Sequence, residues 1–555
     1  MSQLVARAQF MARRRLYRLA RELPIQWAKA DAVGTTASPQ LPRLPVDVIA
    51  PEGMSAVEAR AARIARGCFS FLGREADFSA GIRWRDPEAS PLWEFNLHYV
   101  TGLVDLVLSG RTDAARRIFG SWHAAFGSRW DAVAWHPYPA SLRLVNLCLA
   151  AGQAGQFDAL GAGTTEVAAM HAAFLLRHLE HDLRGNHLLE NAFALLVAGR
   201  CLKGDLARRS TAAARRLLAA EVDEQIMSDG AHFELSPMYH VLVMHRLIQA
   251  IALLRNDDVL VQAHLRPAVQ RMATFLGGVL CPDGDIPLLG DSAREVTPPP
   301  LAVLDLARRV TGVALPASTD GLTAFADSGL CVLNRRRLWA ILDAGPVCAP
   351  YLPGHGQADS LTVEVWCDGA CVVGDPGVHE YTGPERAWGR SSRAHSTMTI
   401  DDGDTSEVYA SFRVGGRARI TEVTTEANAV RATLEPFGAR ARFTREMRME
   451  VEGRRLTILD AAHAPPGAIV ASRLHLHPAV TLYTGAAPNP YSLVASTPTG
   501  KVRISAQYPL RLEPGRASRQ FGVIERTTIL VQELRPRSQS SGGERVGWFT
   551  IEPLP

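Results

Sequence analysis

The sequence predicts a multidomain protein, with an all-helical N-terminal domain followed by an antiparallel β domain. Two patterns predict it. From about residue 55 to 315, apolar residues recur at spacings of three and four, as in 141–155, 187–203 and 239–255. Glycine and proline interrupt these runs at intervals that suit successive helical hairpins. From about residue 316 the texture changes to alternation rich in β-branched residues. Strands are predicted at 329–343 (two, about a basic turn), 361–367, 370–375, 396–401, 417–424, 428–434, 440–451 and 455–460, with more from about 515. Many strands with short turns suit antiparallel sheets packed as a sandwich. The predicted boundaries are a basic helical leader and linker at 1–50, a helical domain at 51–315 and a β domain at 316–555.

The leader holds Arg7, Arg13, Arg14, Arg15, Arg18, Arg21 and Lys29 against Glu22. Its apolar residues Phe10, Leu16 and Leu19 are helically spaced, which suits a solvated basic helix packed on its own domain. The alternative is contact with a membrane surface. Residues 31–50, rich in Pro, Ala and Thr, read as a linker. The leader has no unbroken apolar run of a secretory signal, and no stretch of the chain is apolar enough to predict a transmembrane helix. A cytoplasmic location is therefore expected, with the periplasm as the alternative.

Composition narrows the function. The chain of 555 residues is 47% hydrophobic and carries 60 basic against 56 acidic side chains, a net +4 concentrated in the leader. This excludes global disorder and a broad nucleic-acid groove. The eight cysteines are scattered. Only Cys367 and Cys371 lie close, and no C-x-x-C occurs, so neither a zinc knuckle nor a thioredoxin motif is predicted. Phosphate-binding, dinucleotide, zincin and serine-hydrolase signatures are absent.

Four polar clusters remain. Gly185-Asn186-His187, followed by Glu190 and Asn191, opens a helix, with Asn186 readable as a plain N-cap. Asp229-Gly230 through Glu234, Ser236-Pro237, Tyr239 and His240 leads into an apolar helix. A structural loop explains Asp229, Gly230 and Pro237 better than the other residues. Gly354-His355-Gly356-Gln357-Ala358-Asp359 precedes a strand and reads as an exposed imidazole or as a plain turn. Asp375-Pro376-Gly377, Tyr381 and Arg390 to His395 form the last cluster, in which His395 is also readable as a buried, satisfied histidine.

In this order the clusters resemble the heparinase II/III-like polysaccharide lyases, a family related to alginate lyases. Trp93 to Tyr99, Tyr138 to Arg143 and Asp283 to Ser292 resemble further motifs of that family. The resemblance implies an incomplete (α/α) toroid followed by a β-sandwich. It implies a carbon–oxygen lyase that cleaves an acidic, uronic-acid-containing polysaccharide by β-elimination; the lack of a predicted export signal suggests a link to polysaccharide biosynthesis. Asn186 and His187 match residues that hold the uronate carboxylate, and Tyr239 and His355 match an acid/base pair. Elimination requires these roles, because the proton lost is weakly acidic until the neighbouring carboxylate is neutralised. Arg143, Glu234 and His395 are candidate orienting or sugar-binding groups.

Family members bind zinc at positions matching Gln357, Asp375 and His395. A neutral amide at 357 is a poor zinc ligand, so weak or no zinc is expected, with Asp375 and His395 as a hydrogen-bonded pair. The expected partner is an acidic polysaccharide, with no nucleic acid; no oligomeric state is assigned. The alternatives are a non-catalytic carbohydrate-binding or scaffolding protein and a glycoside hydrolase. A hydrolase would need opposed carboxylates, for which Glu190, Glu234 and Asp359 are the candidates.

Overall fold

The computed structural model describes residues 26–254, 258–314, 320–450, 452–483, 489–536 and 544–555. The basic leader, and any membrane contact made through residues 1–25, lies outside the described residues. The chain forms two compact units.

The first unit comprises the described residues up to Gln225, with Val243–Val269 and Asp305–Gly312. It is helical. Pro137–Ala154, Thr164–Arg177 and Gly185–Cys201 are buried on most faces, as their near-continuous apolar sequences require. Asp205–Gln225 is amphipathic and packs against Gly185–Cys201. Pro137–Ala154 starts with proline in its first turn, the His136 side chain accepts from Tyr138 N, and Gly155 ends the helix in the left-handed region at φ 89°.

Two features differ from expectation. Residues 31–50 are not a bare linker: Thr36–Ala37 pairs with Leu202–Lys203, and Val46–Ile49 is a short helix. The Val48 carbonyl there accepts from Gln249 Nε2 and lies 2.8 Å from His245 Nε2, so a segment with loop-like composition is fixed by hydrogen bonds to distant residues. A hairpin, Cys68–Phe71 with Arg74–Asp77, also interrupts the helical stretch.

The second unit comprises Ile226–Leu242, Gln270–Leu304 and the described residues from Val313 onward. The division therefore does not fall at 315/316. Asp229 accepts from the backbone N–H groups of Asp327 and Ser328. Ala231, Phe275 and Leu289 also share an apolar cluster with Phe325, Trp339 and Trp366. These contacts join the loop and helix ends to the sheets.

Among the described residues of this unit, every named strand pair is antiparallel. A five-stranded sheet runs Gly321–Ala324, Leu330–Arg335, Leu338–Asp343, Val363–Cys367, Ala370–Val373. A four-stranded sheet runs Met398–Ile400, Val470–His475, Glu525–Glu533, Arg511–Ala517. The largest runs Arg419–Glu426, Ala429–Glu435, Arg442–Met449, Leu456–His463, Glu544–Pro553, Gly500–Ala506, Ser492–Thr497, Thr481–Leu482, with Arg535–Pro536 beside Glu544–Pro553. Arg442–Met449 and Leu456–His463 alternate buried and open positions, the pattern of strands with one face in a core. Val363, Leu474, Phe443 and Phe549, drawn from all three sheets, are fully or almost fully buried in one apolar core. Among the described residues, no helix is long and apolar enough to cross a membrane.

Candidate active site

In the helical unit the site is built at the start of Gly185–Cys201. Arg184 and Gly185 both have positive φ, 61° and 56°, so the chain turns sharply before the helix. Arg184 occupies the cap position, and Asn186, expected as a cap, lies inside the first turn and is buried. His187 Nδ1 meets Glu180 Oε1 at 3.0 Å. Asn191, one helical turn on, donates to Glu180 Oε2 (2.9 Å) and to Ser141 Oγ (3.0 Å) and accepts from Glu180 N. Burial would raise the Glu180 carboxyl, but the His187 and His136 charges and these hydrogen bonds hold it down at about 2. The Tyr138 ring packs against the His187 ring, centroids 4.3 Å apart. Sequence reasoning missed Glu180. Its only local signal is an acidic residue seven positions before His187.

Arg143 is corrected. It is fully buried, over Trp122 with 3.8 Å from guanidinium to ring centroid, and donates to His171 Nε2 and to the His98 and Ala134 carbonyls. It cannot touch a sugar; it ties helices together.

In the second unit, three chain segments meet at His355. Gly290, at φ 56°, lets them approach: a Cβ there would lie 3.2 Å from the Leu235 carbonyl and 3.3 Å from that of His355. His355 Nε2 faces Glu234 Oε2 and Nδ1 faces Asp291 Oδ2, each at 3.0 Å. Burial alone would lower the imidazole, but the two carboxylates outweigh it and raise its pKa to about 9. Asp291 also accepts from Gln357 Nε2 (2.9 Å) and from both terminal nitrogens of buried Arg386. Burial opposes its charge, yet Arg386 and His355 hold its carboxyl well below the usual carboxylate range.

The Tyr239 ring stacks on the His355 imidazole, centroids 4.0 Å apart and planes 28° from parallel. The Tyr239 and Tyr381 hydroxyls lie 2.9 Å apart. Burial, reinforced by Asp291, raises the Tyr381 phenol and keeps it neutral. Sequence reasoning quoted Tyr381 and Asp291 within motifs but gave them no role, and it missed Arg386.

Glu234, expected as an orienting or sugar-binding group, is buried and faces His355, the orienting alternative. Two further expectations are corrected. The His355 side chain is only 12% exposed, because it is enclosed by its two carboxylate partners. His395, expected among the substrate-binding groups, is fully buried. Its Nδ1 meets Asp375 Oδ2 (2.8 Å) and its Nε2 meets the Gly389 carbonyl (3.0 Å). With both ring nitrogens engaged and the Gln357 amide on Asp291, the residues at 357, 375 and 395 do not fit a zinc site. No three-residue His, Cys, Asp or Glu cluster suited to a metal occurs among the described residues. His240 is likewise structural, buried with Nε2 on the Met272 carbonyl.

Two family models match the chain: Heparinase II/III N-terminus over residues 165–299 and Heparinase II/III-like, C-terminal, over 317–548. A heparin-sulfate lyase of Pedobacter heparinus is 28% identical over 252 residues, 40% of this chain and 36% of that protein. One from Bacteroides stercoris is 25% identical over 311 residues, 48% of this chain and 44% of that protein. FtsZ-localized protein C of Caulobacter vibrioides is 27% identical over 340 residues, 59% of this chain and 55% of that protein. The matches thus span less than half the length of either lyase. Among solved structures, heparinase III aligns with a TM-score of 0.72 at 15% identity, covering 96% of this chain and 88% of that one. A heparan sulfate lyase mutant from Pedobacter heparinus aligns with a TM-score of 0.60 at 19% identity, covering 100% and 89%. At these identities the likeness is one of fold, and the fold is the expected incomplete (α/α) toroid followed by an antiparallel β-sandwich.

Proposed function

The chain belongs to the heparinase II/III-like family, and from that premise we propose that it is a polysaccharide lyase acting on a uronic-acid-containing chain by β-elimination. The observation that carries the reading is the stack of Tyr239 on an imidazole whose two nitrogens both face carboxylates. A proton-transfer residue for carbon needs a negative charge stabilised on its oxygen. An imidazolium against the phenol ring supplies the opposite charge, and the Tyr381 hydroxyl supplies a hydrogen bond.

Tyr239 acts as the phenolate, its charge set against the His355 imidazolium and its oxygen hydrogen-bonded by Tyr381, and takes the proton from the carbon next to the uronate carboxylate. The electron pair moves into that carbon and then forms the double bond as the carbon–oxygen bond to the neighbouring sugar breaks. Tyr239, now a neutral phenol, gives that proton to the leaving oxygen and returns to the phenolate. His355, held between the Glu234 and Asp291 carboxylates, is assigned the charge-stabilising role and Tyr239 the proton transfer. Asn186 and His187, by their match to the family motif, hold the carboxylate. Glu180 orients His187 by holding Nδ1, which leaves Nε2 for the substrate. No step runs through zinc.

A second reading, a non-catalytic carbohydrate-binding scaffold, is kept because one relative, FtsZ-localized protein C, is named for its localisation and not for a lyase activity. The hydrolase reading loses support because Glu190 is paired with Arg246 and Glu234 with His355. One assay separates all three. Incubation with heparan sulfate, alginate and chondroitin should give an unsaturated uronate absorbing in the near ultraviolet. Reducing ends without that absorbance would mean hydrolysis, and tight binding with neither product would mean a scaffold.

A further inference from the structure

Beside the Tyr239 site the second unit carries a short hairpin, Val408–Tyr409 paired with Arg413–Val414. Its side chains are unusual for a surface turn. Tyr409 is 50% and Phe412 45% exposed. Tyr409 and Arg413 are direct cross-strand partners, which puts an aromatic ring and a guanidinium on one face. The Phe412 ring packs edge-on against Tyr381, centroids 5.8 Å apart, and Tyr381 in turn meets the Tyr239 hydroxyl.

The hairpin is tied to the His355 loop by two buried arginines. Arg386 donates to the Gly354 and Ser411 carbonyls. Arg390 donates to the Gly356 carbonyl on one side and to those of Ala410 (2.8 Å) and Arg413 (3.0 Å) on the other. Both glycines flanking His355 are thus bridged to the exposed turn. Ala410 is held at φ 48°, a conformation that costs free energy for a non-glycine residue. Val414 enters the apolar core and Val408 packs on it, which anchors the base of the hairpin, while the two buried guanidiniums hold the turn, whose aromatic side chains stay in water. This pre-positions those rings.

We propose that the 408–414 hairpin is a substrate platform: Phe412 stacks on a sugar ring of the bound chain next to the one at Tyr239, while Tyr409 and Arg413 hold the adjoining acidic residue. A flat ring suits the apolar face of a sugar, and a guanidinium suits a carboxylate or sulfate. The inference rests on the lyase reading for the class of ligand and adds to it the group that sets affinity and register.

The test is calorimetric binding of size-fractionated heparan sulfate, alginate and chondroitin oligosaccharides to full-length Tyr239→Phe protein, which prevents turnover. Phe412→Ala and Arg413→Ala, each added to it, should weaken binding about tenfold, the loss of one good contact. Phe412→Trp should restore it, and higher salt should erase most of the Arg413 effect. If both single changes bind like the parent, the platform is wrong while the lyase reading stands. If the parent binds none of these glycans, the platform is wrong as well. If binding depends on the hairpin but wild-type protein releases no unsaturated product, the platform stands and the lyase reading falls.

Discussion

The phenol of Tyr239 lies face to face with the imidazole of His355, ring centroids 4.0 Å apart, and the imidazole is gripped at both nitrogens by Glu234 and Asp291. In the proposed mechanism this pair divides its labour: one ring carries the proton and the other carries the charge that makes this feasible.

Tyr239→Phe removes only the oxygen. Turnover should fall by about 10²–10⁴, the usual share of a proton-transfer group. The thermal midpoint should stay close to that of the parent. Steady-state rates and a melting curve measure both.

Asp291→Asn leaves the buried Arg386 and His355 cations without their shared partner. Losing one member of a buried ion pair costs about 3–5 kcal/mol. Urea denaturation should show a drop of that order, well beyond that of Tyr239→Phe.

Stability should also depend on pH through His355. Its folded pKa is raised to about 9, above the ordinary imidazole value. The contribution is therefore complete below the unfolded value and is lost as pH rises through about 9. The parent should lose thermal stability over that window, and His355→Gln should lose less over the same range.

Glu180 has the opposite sign. Its folded pKa is held down at about 2, so its contribution is present above the ordinary carboxylate range and disappears as pH falls toward that value. Glu180→Gln should flatten the acid limb of stability. It should also raise KM for acidic glycans, because His187 loses the group that orients it.

How much of this was legible in the sequence depended on whether the information was local. The Asp229–Tyr239 and Gly354–Asp359 motifs are contiguous, so Tyr239, Glu234 and His355 could be named without coordinates. Their partners could not. Asp291 lies 64 positions from His355, and Arg386 lies 95 from Asp291, so their pairing exists only after folding. Arg143 was misjudged because arginine is usually exposed, and nothing nearby in sequence announces Trp122 beneath it. Most of the strands up to His463 were readable from alternation or β-branched content, whereas Val470–His475 is buried at every position yet carries Ser472, Arg473 and His475, so it shows neither a period nor an apolar run. The linker at 31–50 failed for the same reason in reverse, since composition alone does not reveal that Val48 is a hydrogen-bond acceptor for a distant helix.

The zinc expectation is checked by metal analysis of dialysed protein. With both His395 nitrogens engaged and the Gln357 amide on Asp291, we expect no stoichiometric zinc and no loss of activity with chelator.

The state of the His355 ring is the most direct test of the account. Nitrogen NMR of ¹⁵N-histidine-labelled protein, assigned with His355→Gln, should show both ring nitrogens protonated at neutral pH and titrating near 9. A ring with one bare nitrogen at neutral pH would make His355 an ordinary base and contradict the division of roles with Tyr239.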